Sequence, residues 1–298
     1  MPNKLWEPIL KHQPDIFIWG GDIVYSDTED MKLMKQNYEL MKADSGYSSF
    51  REKIEVMGTW DDHDYGLNDG GASYIKKDSV QQIFLDFFDV PAHDPRRARK
   101  GIYTSKTFDV NGSSIKIIIL DTRYFRSDLT VDPSGQRRYI PVENPGDTML
   151  GTAQWKWLEE ELMTSSSQFN IIVSSIQFLS SEHGFETWGN MPLEVEKMKD
   201  IIVKSKAKGV IFLSGDRHLA EISKLEVEGL DYPLIDFTSS GMTHSYSTYS
   251  GEPNSLRISD VIADKNFGLL YVDVNNNTVT MEIRGEDDQL FQRIIQKY

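Results

Sequence analysis

The chain has 298 residues, with 46 acidic and 32 basic side chains, a net charge of −14 and no cysteine. That length can bury a substantial core, and the lack of thiols excludes disulfide scaffolding, a cysteine nucleophile and cysteine-ligated zinc or iron–sulfur centres. The acidic surplus argues against nucleic acid or an anionic membrane as main partner, yet it admits a polyanionic substrate where metal ions supply positive charge.

In chain order, residues 5–12 read as a helix. The apolar run Ile16-Phe17-Ile18-Trp19, closed by Gly20-Gly21-Asp22, reads as a buried strand ending in a loop. Residues 30–41 are expected to be helical, with Met31, Met34, Tyr38 and Met41 on one packing face. Residues 54–60 form a second short strand leading into Asp61-Asp62-His63-Asp64, and residues 79–88 a helix capped by Ser79 and closed before Pro91. Residues 102–110 and 113–120 read as strands joined at Asn111-Gly112, a strong hairpin signal. The continuous run Ile115 to Leu120 implies burial on both faces. A polar loop over 127–148 precedes a helix at 152–163, a strand at 169–175, a helix at 193–206 and a strand at 209–213. The last third is strand-rich, with a hairpin at 275–277. No repeat, linker or domain boundary is visible, so one α/β domain over 1–298 is expected. No apolar run is long enough for a transmembrane helix, and the first fifteen residues show no export signal.

Four of these strands end in acidic, His-containing or Arg-containing loops: 20–27, 60–66, 120–126 and 214–218. In open α/β sheets, ligands bind beyond the carboxyl ends of strands. Carboxylates crowded there repel unless cations lie between them, which makes a metal site the economical reading. Two-metal phosphoester hydrolysis needs a bridging carboxylate, and Asp22 suits that position. Tyr25 offers a phenolate, Asp62 and Asp216 carboxylates, and His218 an imidazole nitrogen. His63, with Asp62 and Asp64 beside it to orient it and raise its pKa, suits a general acid. Arg123 is placed either as a bidentate grip on phosphate oxygens or, with Asp121 capping the next turn, as the salt-bridge partner of Asp121. Taken singly, a Gly-Asp after a strand or an Asp-rich turn is commonly structural; their ordered joint occurrence favours the metal. His12, His93, His183 and His244 lack ligand-like spacing and are expected on the surface or in packing. Ser174-Ser175 has no nucleophile-elbow context.

The segments GGDIVYSD, TWDDHDYGLND, ILDTRYFR, LGTAQWKWLEEEL and FLSGDRHLAEI resemble, in order and spacing over about residues 5–221, the alkaline phosphatase D (PhoD-like) family of metallophosphoesterases. That family belongs to the calcineurin-like superfamily and is related to the purple acid phosphatases, whose GDxxY signature is matched by Gly21-Asp22-Ile23-Val24-Tyr25. The resemblance implies a four-layer αββα sandwich with a dinuclear centre at the strand ends. Asp22 would bridge the metals, Tyr25 would ligate ferric iron, and Asp62 and His63 would take the places of the asparagine and catalytic histidine of the superfamily's GNHD/E motif. Asp216 would ligate one metal and His218 the other. Iron plus calcium is the implied pair, with zinc or manganese as alternatives; oxygen-rich ligands suit calcium. The implied activity is hydrolysis of phosphate mono- and diesters by a metal-activated hydroxide attacking phosphorus, in an exported protein, with cell-wall polymer or lipid diesters as further substrates.

Two departures from the family pattern stand out. A metal-ligand strand resembling FGSC is expected before the first helix, so the fold is expected to lack its first strand, through truncation or a real loss. The strand at 172–177 also lacks the superfamily's ligand histidine, leaving Gln177 as an amide oxygen donor. Both bear on metal stoichiometry, and they leave a catalytically impaired metal- or phosphate-binding relative as the alternative.

Overall fold

The computed structural model describes residues 3–298. The first half comprises α1 (Trp6–Lys11), β1 (Ile16–Trp19), α2 (Met31–Ala43), α3 (Ser45–Arg51), β2 (Glu55–Gly58), α4 (Asp62–Tyr65) and α5 (Lys77–Phe87). There follow β3 (Thr104–Val110), β4 (Ser113–Ile119), α6 (Gly151–Met163), β5 (Phe169–Val173) and α7 (Pro192–Ser205). The last third contributes β6 (Val210–Ser214), β7 (Ala220–Leu225), β8 (Leu234–Ser239), β9 (Asn266–Asp273), β10 (Thr278–Gly285) and β11 (Leu290–Lys297).

Local chemistry accounts for most boundaries. Asp30 caps α2 by accepting from the N–H groups of Lys32 and Leu33, and Met34 and Tyr38 are the buried members of its apolar stripe. Asn111 and Gly112 both have positive φ, 49° and 81°, as a two-residue hairpin matched to strand twist requires. The start of α5 differs from expectation. Lys76 rather than Ser79 precedes its first turn, and no side chain caps it. The Lys77 ammonium instead ties this end to the Ala72 carbonyl at 2.5 Å.

A mixed six-stranded sheet has the order β3-β4-β5-β6-β8-β7. Its central strands β4, β5, β6 and β8 are parallel, and β3 and β7 are antiparallel edges. On one face Ile118, Leu120, Ile172 and Phe212 pack against Trp155, Leu158 and Leu162 of α6 and Met198, Ile201 and Ile202 of α7. The other face, with Ile117, Ile119, Ile171 and Val173, meets Ile16 and Ile18 of β1, Met57 of β2 and Leu270 and Val272 of β9. Beyond β1 and β2 lies an aromatic layer in which Trp6, Trp19, Tyr38, Phe50 and Phe84 join α1, α2, α3 and α5. The layer order is therefore helices, six-stranded sheet, second sheet layer, helices: the expected αββα sandwich.

The second sheet layer is interrupted. β1 pairs only with β2, and β9 heads a separate sheet of order β11-β10-β9. A cavity of about 760 Å³ separates the two groups, lined along one side by 16–22 and along the other by 266–272.

Candidate metal centre

Three loops meet at backbone-to-backbone distance. Gly21 has φ +110°, and a Cβ there would lie 2.4 Å from Cβ and 2.8 Å from the backbone nitrogen of Asp61. A Cβ on Gly215 would lie 2.8 Å from the Gly20 carbonyl oxygen and 3.2 Å from that of Ser175. Glycine is required at both places, by close approach and, at Gly21, by φ as well. Asp64 fastens two of the loops, its carboxylate accepting from the N–H of Ile23 at 3.1 Å and of Asp61 at 2.5 Å. Both Asp22 and Asp216 have left-handed backbone, φ 54° and 65°, as does His218 at 53°. Such strain concentrates at functional sites.

Each of Asp22, Asp61 and Asp62 offers a carboxylate oxygen within 4.8 Å of the other two, and all three are buried. Two oxygens of this set, Asp22 Oδ1 and Asp61 Oδ2, are buried with no hydrogen-bond partner. Buried polar atoms are nearly always satisfied, so two orphaned carboxylate oxygens in one buried acidic cluster fit a bound cation. The electrostatics agree. Burial, reinforced by Asp61, Asp62, Asp64 and Asp216, pushes the Asp22 carboxyl well above the usual range. Burial likewise raises Asp61 to about 7 despite Arg123, with Asp62 and Glu186 adding to the rise. Asp216 is raised well above by burial and then Asp61. Asp62 goes the other way. Burial opposes its charge, but Arg123, His63 and the N–H groups of Asp69 and His63 hold it below the ordinary value. A cluster that penalises its own ionisation becomes favourable once cations neutralise it.

Tyr25 and His218 adjoin this oxygen set. The Tyr25 hydroxyl is 3.2 Å from Asp22 Oδ2, 2.8 Å from His218 Nε2 and 3.3 Å from Thr243 Oγ1. Burial, then His244 and His63, lowers His218 to about 4, which keeps its imidazole neutral and able to bind a metal. His63 projects beside this group, its ring 4.5 Å from that of Tyr25.

Several expectations need correction. His63 is oriented by Asp27, whose carboxylate is 2.6 Å from Nδ1, and not by its sequence neighbours, because Asp62 and Asp64 spend their oxygens on backbone N–H groups. Arg123 does not reach the cleft. Its side chain is 0% exposed and pairs with Asp61 and with Glu186, the latter at 2.6 Å. Asp121 is not its ion-pair partner; that carboxylate caps the following turn, accepting from the N–H groups of Arg123 and Tyr124. Gln177 donates its side-chain N–H groups to Glu221 and Thr238 at 2.7 and 2.8 Å, while its amide oxygen is buried with no hydrogen-bond partner. His244 is as expected, an exposed residue that packs: its ring lies 3.9 Å from that of Tyr25 and 5.6 Å from that of His218.

Sequence reasoning missed Asp61 and Glu186. Asp61 was hidden by its more motif-like neighbour Asp62. Its signal was the adjacent tryptophan and glycine-bearing strand end, which force it inward. Glu186 had no signal, since it reaches Arg123 and Arg126 only through the loop after β5.

With this geometry in hand, comparison with known proteins is specific. A family model described as PhoD-like phosphatase matches residues 3–283. The chain is 25% identical over 247 residues to alkaline phosphatase D of Bacillus subtilis (strain 168), covering 75% of this chain and 42% of that protein. The solved structure of PhoD superposes with TM-score 0.77 at 16% identity, covering 99% of this chain and 65% of that one. A purple acid phosphatase from yellow lupin seeds gives TM-score 0.66 at 16% identity, over 98% of this chain and 48% of that one. GAP50, an anchor in the inner membrane complex of Plasmodium, gives 0.62 at 11% identity, over 99% and 82%. These structural likenesses establish the fold, which carries an anchor protein as well as phosphatases. The chain thus spans less than half the length of the curated relative and about two thirds of the PhoD structure. Its sandwich fold and the family match over residues 3–283 place the chain in the PhoD-like phosphatase family.

Proposed function

We propose that the chain is a metal-dependent phosphoric ester hydrolase, acting on phosphate mono- and diesters. The observation that carries this is the pair of orphaned, buried carboxylate oxygens on Asp22 and Asp61, beside Asp62 and within reach of Tyr25 and His218. Asp22 touches both parts of the site and suits a bridging position. Asp61, Asp62 and Asp216 make one side an all-oxygen environment suited to a hard cation such as calcium. Tyr25 and His218 make the other side a phenol and imidazole pair suited to iron. When bound, such ions would acidify a water molecule and neutralise phosphate oxygens. His63, locked by Asp27 through Nδ1, keeps Nε2 to exchange a proton with the leaving-group oxygen. Arg123 acts as a positioning residue: it presents Asp61 to the cluster, with Ser175 Oγ completing the grip at 2.6 Å. Export, as implied by the family resemblance, and a single domain over 1–298 belong to the same proposal.

The test is hydrolysis of p-nitrophenyl phosphate and its bis-ester, with elemental analysis of the same sample. Loss of both activities on chelation and in Asp22→Asn, with restoration of the wild type by added metal, is the expected outcome. Undiminished turnover after either treatment would overturn the reading. Bound metal without turnover would establish the alternative, a metal-binding relative that no longer catalyses.

A further inference from the structure

With Arg123 turned inward, another cation is needed to meet a phosphate from the protein side. Of the arginines around the carboxylate cluster, Arg123 and Arg126 have side chains 0% exposed, and that of Arg217 is 8% exposed and paired with Glu252. Arg138, on the polar loop 127–148, differs from them. Its guanidinium pairs with Asp69, yet its side chain is 48% exposed.

The backbone around Arg138 is tied down on both sides. Val131 and Tyr139 form an antiparallel bridge. The Asp132 carboxylate accepts from the N–H groups of Ser134 and Arg137 at 2.8 and 2.9 Å. The N–H groups of Arg138 and Tyr139 both donate to the Gly184 carbonyl at 3.0 Å. Much of the ordering cost of a binding loop is therefore met before any ligand arrives. Towards the metal centre, the Tyr139 hydroxyl donates to Asp69 Oδ2 at 2.6 Å, and the Asp69 N–H donates to Asp62 Oδ2 at 2.7 Å. A carboxylate oxygen of Asp69 lies within 4.8 Å of one of Asp62. The guanidinium thus stands one carboxylate away from the candidate ligand Asp62. Burial works against its charge, but Asp69, Tyr139 and Asp62 together raise it above the ordinary arginine value.

A half-exposed ion pair is weak, whereas a guanidinium fork on two phosphate oxygens is strong and fixes their geometry. Asp69 keeps the Tyr139 hydroxyl when the guanidinium departs, so the exchange leaves no bare carboxylate. We propose that Arg138 is the phosphate grip of this site, moving from Asp69 to two non-bridging oxygens of the phosphoryl group, with its substrate class resting on the hydrolase reading above. A fork of fixed positive charge favours a dianionic monoester over a monoanionic diester.

The test compares wild type, Arg138→Gln and Arg138→Lys as purified, by calorimetric titration with inorganic phosphate and by steady-state hydrolysis of p-nitrophenyl phosphate and its bis-ester. Arg138→Gln should weaken phosphate binding by roughly 10–100-fold, the range for a lost charge-assisted contact. KM for the monoester should rise with it, while kcat and KM for the bis-ester change less. Arg138→Lys, which keeps the charge without the fork, should fall between. Metal content and thermal midpoint should stay at wild-type values. Unaltered phosphate affinity and KM in Arg138→Gln, beside an active wild type, would overturn the grip and leave the hydrolase reading standing. Weakening explained by lost metal or a lowered thermal midpoint would also overturn it. A wild type that binds phosphate without turnover, and loses that binding in Arg138→Gln, would support the grip and overturn the hydrolase reading.

Discussion

At the scale of single residues, the centre separates groups that face the cleft from groups that hold them. His63 and Asp27 form a pair at 2.6 Å. His63→Asn should lower kcat by roughly 10²–10⁴-fold, the usual range for a lost general acid. Asp27→Asn should cost less, because the imidazole remains and only its orientation is loosened. Steady-state kinetics would check both, and an unchanged kcat in Asp27→Asn would remove the orienting role. Arg123 makes the opposite prediction. Replacing it by Met leaves Asp61 an uncompensated buried carboxylate and Glu186 with Arg126 as its remaining cation, at a cost of about 3–5 kcal/mol. Denaturant unfolding should show that loss even without substrate. A rise in KM with unaltered stability would instead return Arg123 to the role of phosphate grip.

At the scale of elements, the centre depends on turns that permit unusual contact. Two glycines with positive φ illustrate the difference. Gly112, at φ +81°, has nothing within 4 Å of an added Cβ, so Gly112→Ala should cost about 1 kcal/mol and leave hydrolysis intact. Gly21→Ala must push Asp61 away, since its Cβ would enter at 2.4 Å. It should abolish metal binding while much of the fold survives, as circular dichroism and elemental analysis would show. The strand ends, the Asn111-Gly112 hairpin and the Met34–Tyr38 stripe were legible because each is a local preference written into a few adjacent residues. The cap of α5 was not, because a lysine reaching the Ala72 carbonyl replaces the local serine. Asp27 escaped notice for a similar reason, being 36 positions from the histidine it orients.

For the whole molecule, the crowded carboxylates tie stability to pH and to metal. Asp61 is raised from 3.8 to about 7 by burial, with Asp62 and Glu186 contributing. Between those values the folded chain retains a proton that the unfolded chain has lost, so unfolding releases protons and stability falls as pH rises. Asp22 and Asp216 shift in the same direction. The metal-free protein should therefore lose stability through Asp61 between about pH 4 and pH 7, with Asp22 and Asp216 adding loss in the same direction. Added metal should restore more at pH 8 than at pH 5, because cations bind the ionised cluster. Thermal midpoints with chelator and with calcium or iron would measure this, and a chelator effect independent of pH would contradict it.

What the sequence determined alone was the order of elements and the positions where polar loops follow buried strands. These follow from periodicity and from glycine, which act within a few residues. The ordered loop motifs also identified the family and brought Asp22, Tyr25, Asp62 and His218 forward as ligand candidates. Only the tertiary structure decided which carboxylates are left without partners, that Arg123 faces inward to Asp61 and Glu186, and that β1 and β9 stand apart across a cavity. Those outcomes depend on how charges from distant loops share one buried volume. Desolvation and pairing there are properties of the assembled neighbourhood, and no short stretch of chain encodes them.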